Sequence, residues 1–199
     1  MINIFKNLYQ RISPKRYDCI IPLGYNCTLA YQINRVHKYL ESYMFNWAAI
    51  NDYEKFIKCL INNNSDLFSE GYEYYELYNM FKDIKYDIVF HGKSTVEQLK
   101  NSEGFISEEL RIKEFEDLCG RNLHLNEKFQ ALKSNQCKKL FVHIINPAVT
   151  TEVANKFIIS LYENIKNNYL NSNLLVIQER KKERMQKLQK VEMICSWNM

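Results

Sequence analysis

A chain of 199 residues with 46% hydrophobic and 25% charged residues has the composition of one ordinary globular domain, which excludes a disordered or fibrous class. Its 27 Lys and Arg are interleaved with 23 Asp and Glu, so the formal charge of +4 forms no basic block and nucleic acid is not an expected partner. No stretch approaches the roughly 18 apolar residues of a spanning helix, and the first twelve residues lack the apolar run of a secretory signal, so a cytoplasmic chain is expected. The 6 cysteines are then reduced thiols. Cys19, Cys59, Cys119 and Cys195 fall in apolar or helical segments, whereas Cys27 and Cys137 fall at boundaries between elements.

The first twelve residues read as a short helix ended by Ser13-Pro14. Asp18 to Leu23 (DCIIPL) is an apolar run stopped by Gly24, as in a strand covered on both faces. From Thr28 to Leu40, Leu29, Ile33, Val36 and Leu40 recur at helical spacing. A second helix runs from Asp52 to Asn62 with Tyr53, Phe56, Ile57 and Leu60 on one face, and an Asn-rich run closes it.

Residues 67–85 are aromatic-rich and carry no clear period, whereas Tyr86 to Phe90 (YDIVF) is a strand ended by His91-Gly92. Ser107 to about Lys133 is a long charged helix with Leu110, Phe115, Leu118, Leu125, Phe129 and Leu132 inward and Gly120 as its weak point. Lys139 to Ile145 (KLFVHII) is the clearest central strand. Glu152 to Tyr169 is a helix with Val153, Phe157, Leu161 and Ile165 on one stripe, and Leu174 to Gln178 a further strand. The charged run 179–190 reads as a solvated helix and 191–195 as one more strand. The alternation predicts an α/β fold: a single three-layer domain spanning 1–199, with a mainly parallel sheet and helices on both faces. Its ligand crevice lies where the strands end.

Gly24-Tyr25-Asn26-Cys27 sits at the first strand-to-helix junction. Gly24 permits positive φ, Asn26 can cap the helix, and Cys27 falls in the first turn. There the unpaired N–H groups and the helix dipole favour a thiolate and can hold an oxyanion. His91, at a strand end, is the expected base, and Asn46, between Phe45 and Trp47, the group expected to orient it. His143, within a strand, is the secondary candidate. The pairs Cys119/His124 and Cys137/His143 are too loosely spaced for zinc, and no phosphate loop is present, so neither a metal nor a cofactor is expected.

LGYNC at 23–27, Ile33-Asn34-Arg35, FNW at 45–47, FHG at 90–92 and LFVH at 140–143 together resemble the bacterial papain-like cysteine peptidase family built on a domain of unknown function. The family pattern is LGxNC, a helix with Leu-Arg, PFDW, a strand ending in histidine, and a strand reading LFVR. The order matches over about residues 18–178, and the resemblance implies Cys27 and His91 as site positions. Asn46 replaces the family's Asp, Met44 its Pro and His143 its Arg, and the chain stops near a Trp motif that the family continues. An asparagine can orient an imidazole but cannot balance an imidazolium. The turn is also similar to that of capsule-biosynthesis acyltransferase-like proteins, which place Cys where esterases of the SGNH type place Ser.

Three functions follow: a thiol hydrolase of peptides or amides, an acyltransferase taking acyl-CoA to a surface glycan, and a non-catalytic binding module. Arg35, Lys93 and Lys139 are the basic residues able to meet CoA phosphates.

Overall fold

The computed structural model describes residues 17–25, 27–36 and 41–178. The helix expected over the first twelve residues, the charged run 179–190, the strand at 191–195, and His37 and Asn26 lie outside the described residues, as does the side chain of Cys27.

Strands β1 (Cys19–Pro22), β6 (Lys139–Ile145) and β7 (Ser172–Gln178) form a parallel sheet in the order β1-β6-β7. Every residue of β6 but Ile144 is buried, Lys139 and His143 included, as in a strand covered on both faces. The pleat divides its neighbourhood in two. Leu140 and Val142, with Leu175 of β7, pack under Leu29 and Ile33 of α1 (Cys27–Val36). Ile21, Phe141, Ile145 and Leu174 face the opposite way, into a larger core shared by three helices. These are α2 (Tyr53–Ile61), α4 (Glu108–Ala131) and α5 (Thr151–Asn168). A single turn, α3 (Val96–Leu99), precedes the long helix.

Each long helix starts where its sequence supplies a cap. Asp52 Oδ1 accepts from Lys55 N at 3.0 Å, Ser107 Oγ from Leu110 N at 3.4 Å, and Thr150 Oγ1 from Val153 N at 3.4 Å. The capped helices drive aromatic side chains into one cluster, in which Tyr53 stacks on Phe157 at 4.1 Å and Phe45 meets Phe56 edge-on at 5.0 Å. Truncating a fully buried member such as Phe141 to Ala costs about 3–5 kcal/mol through lost burial and the cavity left behind. Gly120 does not interrupt α4, because an exposed mid-helix glycine costs only about 1 kcal/mol in propensity while the buried stripe holds the helix on either side of it.

The chain is α/β, but the expectation of one mainly parallel sheet is corrected by a second sheet. β2 (Ala48–Ile50), β5 (Ile88–His91), β4 (Met80–Asp83) and β3 (Tyr72–Tyr75) form an antiparallel sheet in the order β2-β5-β4-β3. The strand ending at His91 belongs there. A parallel neighbour needs a crossover of a dozen or more residues, and β4 reaches β5 through residues 84–87 alone, turned by Asp87 at φ +54°. The antiparallel sheet joins the same large core as β1-β6-β7 through Phe81, Ile88 and Phe90.

Candidate active site

Leu23 N donates to Val142 O at 2.8 Å, and the chain then leaves the sheet through two consecutive residues of positive φ, Gly24 (+79°) and Tyr25 (+94°), before Cys27 opens α1. A tyrosine held there carries about 1–3 kcal/mol of strain that the surrounding packing must hold. Gly24 is required on a second count. A Cβ at this position would lie 2.8 Å from Ile50 Cδ1 and 3.2 Å from the Ala48 carbonyl oxygen, so the turn rests directly against β2. The backbone at Cys27 is the N-terminus of a ten-residue helix at the carboxyl edge of the parallel sheet, where N–H groups have no partner within the helix.

His91 ends β5, half-buried, and burial holds its imidazole below the ordinary histidine value. Its carbonyl oxygen accepts from Arg121 Nη2 at 2.9 Å. Between Gly24 and His91 stands β2: Gly24 abuts Ala48, and Ala48 pairs with Phe90. Neighbouring strands are about 4.8 Å apart, so the histidine belongs to the strand one place beyond the one the turn touches.

Asn46 is fully buried, and its amide is committed to its own loop. Oδ1 accepts from Tyr43 N at 3.2 Å and Nδ2 donates to Glu41 O at 3.1 Å. Among the described residues neither atom bonds to His91, so this carboxamide anchors the 41–46 turn where an orienting partner was expected. The sequence pattern of Asn between two large aromatics signals a buried amide, which either role satisfies.

His143 lies beside Leu23 in the β1/β6 ladder, on the face of the large core. It is completely buried. Its Nδ1–H donates to Leu23 O at 3.3 Å, which leaves Nε2 as a lone pair with no partner among the described residues. Tyr53 and Phe157 rings stand at 5.6 and 4.9 Å, and burial pushes its pKa down to about 4 despite the Leu23 carbonyl. Lys139 proves unable to meet a CoA phosphate. It too is wholly buried, with its ammonium donating to the Asn135, Cys137 and Leu170 carbonyls.

Three of the described thiols, Cys19, Cys59 and Cys119, are disfavoured as thiolates by burial. Burial pushes Cys19 up to about 11, aided by Cys137 Sγ at 3.4 Å, and burial likewise raises Cys59 and Cys119. Two residues that the sequence reading passed over gather around His91, namely Arg121 and the buried Asn122 of α4. Their signal was there in outline: positions 118, 122, 125 and 129 form one inward stripe, and Asn122 is its polar member. Comparison with protein-family models, with curated proteins and with solved structures finds no match, so the peptidase resemblance rests on the quoted residues alone.

Proposed function

We propose that the chain is a thiol-dependent hydrolase of amide or ester bonds, of the peptidase or amidase kind, with Cys27 as nucleophile and His91 as base. One observation carries the reading. Cys27 opens a helix immediately after a buried strand and a two-residue positive-φ turn, where helix N–H groups favour a thiolate and an oxyanion alike. In the proposed reaction the Cys27 thiol gives its proton to the His91 imidazole and the thiolate so formed attacks the carbonyl carbon, expelling the leaving group as the thioester forms. That proton then leaves with the amine or alcohol, and water cleaves the resulting thioester. His143 is the alternative base, because its Nε2 lone pair has no partner among the described residues. Acyl transfer from CoA would use the same thiol, but the burial of Lys139 removes one of its three candidate phosphate contacts, so hydrolysis is preferred.

Iodoacetamide labelling at pH 7, read by mass spectrometry, and turnover of a panel of p-nitrophenyl esters and peptide amides test the reading. Cys27 is expected to label first among the 6 cysteines, and Cys27→Ala to lower kcat about 10³-fold or more. His91→Gln is expected to lower it about 10²-fold or more with His143→Gln smaller. The reverse order would move the base to His143, and an inert Cys27 would leave a binding module.

A further inference from the structure

The 42–47 loop, the end of β5 and α4 enclose a cavity of about 450 Å³, within the range of small-molecule sites. Tyr43, Met44, Trp47, Phe90 and Leu118 give it a largely apolar and aromatic wall. Trp47 leaves 42% of its surface open at the rim of this wall.

Two polar side chains from consecutive positions of α4 break that wall. Asn122 is only 6% exposed, and its Nδ2 has no hydrogen-bond partner among the described residues. A buried amide group left unsatisfied costs about 1–3 kcal/mol, so a leucine at this stripe position would serve the fold better. Arg121 spends one donor on the His91 carbonyl, which fixes the guanidinium at the cavity, and among the described residues no carboxylate lies within ion-pair distance of it. The nearby Glu41, beside lining residue Ser42, is already held by Lys128 at 3.5 Å and by the Tyr43 hydroxyl at 3.2 Å. The cavity is thus lined by one cation, by a buried amide whose Nδ2 has no partner among the described residues, and by an aromatic wall.

We propose that this cavity binds a small organic carboxylate with a flat apolar body, of the arylacetate class. Its carboxylate would accept from Arg121 and Asn122, and its ring would lie against Trp47. A planar fork suits a carboxylate, whereas a phosphate dianion would call for more positive charge than one guanidinium provides. The site shares His91 with the hydrolase reading but rests on the cavity and not on the Cys27 thiol, and it is read by binding without turnover.

Trp47 supplies the reporter. The chain has 2 tryptophans, so Trp197→Phe leaves its fluorescence alone in the signal. Phenylacetate titrated at pH 7 is expected to give a saturable change, with phenylacetamide and acetate each about tenfold weaker or worse, because one lacks the charge and the other the ring. Arg121→Gln and, separately, Asn122→Leu are expected to weaken phenylacetate about tenfold or more, with Arg121→Lys between Arg121→Gln and the parent and with circular dichroism unchanged throughout. The proposal is overturned if phenylacetate gives no saturable change up to about 10 mM, if phenylacetamide binds as well as phenylacetate, or if Arg121→Gln retains full affinity.

Discussion

Two buried polar residues on one face of α4, Glu114 and Asn122, stand eight positions apart and are treated in opposite ways. Glu114 is saturated: it accepts from Lys93 N, from Ser94 N at 2.9 Å and Ser94 Oγ at 2.7 Å, and from Asn79 Nδ2 at 3.5 Å. Burial alone would raise its pKa, but the Ser94 hydroxyl, the two N–H groups and the Asn79 amide outweigh it and hold the carboxyl below its ordinary value. Asn122, equally buried, has no partner for Nδ2 among the described residues. The first closes the loop after β5 onto the helix. The second does nothing for the fold that an apolar side chain would not do better, and it lines a cavity. Equal burial therefore does not mean equal purpose, and satisfaction is what separates a structural polar group from one reserved for a ligand.

The sharpest way to break this contrast is to remove both. Glu114→Ala strips the acceptor from two backbone N–H groups and a hydroxyl and is expected to cost about 3 kcal/mol or more, read as a lower urea midpoint with an unchanged slope. A loss under about 1 kcal/mol would mean that saturation says nothing of structural weight.

His143 joins the two behaviours in one ring, with Nδ1 bonded and Nε2 without a partner among the described residues. Its pKa falls from 6.5 in the unfolded chain to about 4 in the fold, so between these values the unfolded state binds the extra proton. Stability is then full above pH 6.5 and declines as the pH drops, by about 3 kcal/mol once pH 4 is passed. Urea melts at pH 7 and pH 4.5 should show the decline, and His143→Phe should flatten it; an equal pH dependence in that variant would mean other groups carry it.

The smallest expected effect has the opposite sign. Asn122→Leu should raise stability by about 1 kcal/mol, because it removes an unsatisfied buried group from an apolar stripe. A loss instead would show that Asn122 has a structural partner after all, and would return it to the class of Glu114.

Much of the frame was legible from periodicity. β1, β6 and α2, with its Asp52 cap, fall within a residue or two of the expected bounds, because unbroken apolar runs, helical stripes and capping residues are local signals. β3 and β4 were not. Residues 72–75 read YEYY with exposed Tyr75 next to exposed Leu77 and Tyr78, so apolarity there does not track burial. β2 is three residues long, too short to show a period. The direction of β5 was misjudged because a strand's own sequence does not name its neighbour, whereas the four-residue connection before it does. Within the site, the Gly24 turn could be anticipated from glycine and strand end alone. Asn46 could not be assigned a partner, because whether an amide turns to backbone or to imidazole is decided by tertiary packing. Arg121 and Asn122 gave only the faint sign of polarity on an inward stripe.

The close approach of Gly24 to Ala48 carries one more consequence. β2 is an outer strand of its sheet, and a bare outer strand is a template on which another chain can add itself. The Gly24 backbone sits against the Ala48 carbonyl and shields that margin, in a space that no side chain could share. The residue that lets the chain turn toward Cys27 is thus also a guard against self-association. A methyl group placed there would crowd Ile50 and the Ala48 carbonyl, bend the turn and lift this cover, so that the variant is expected to clump as well as to lose the turn toward Cys27.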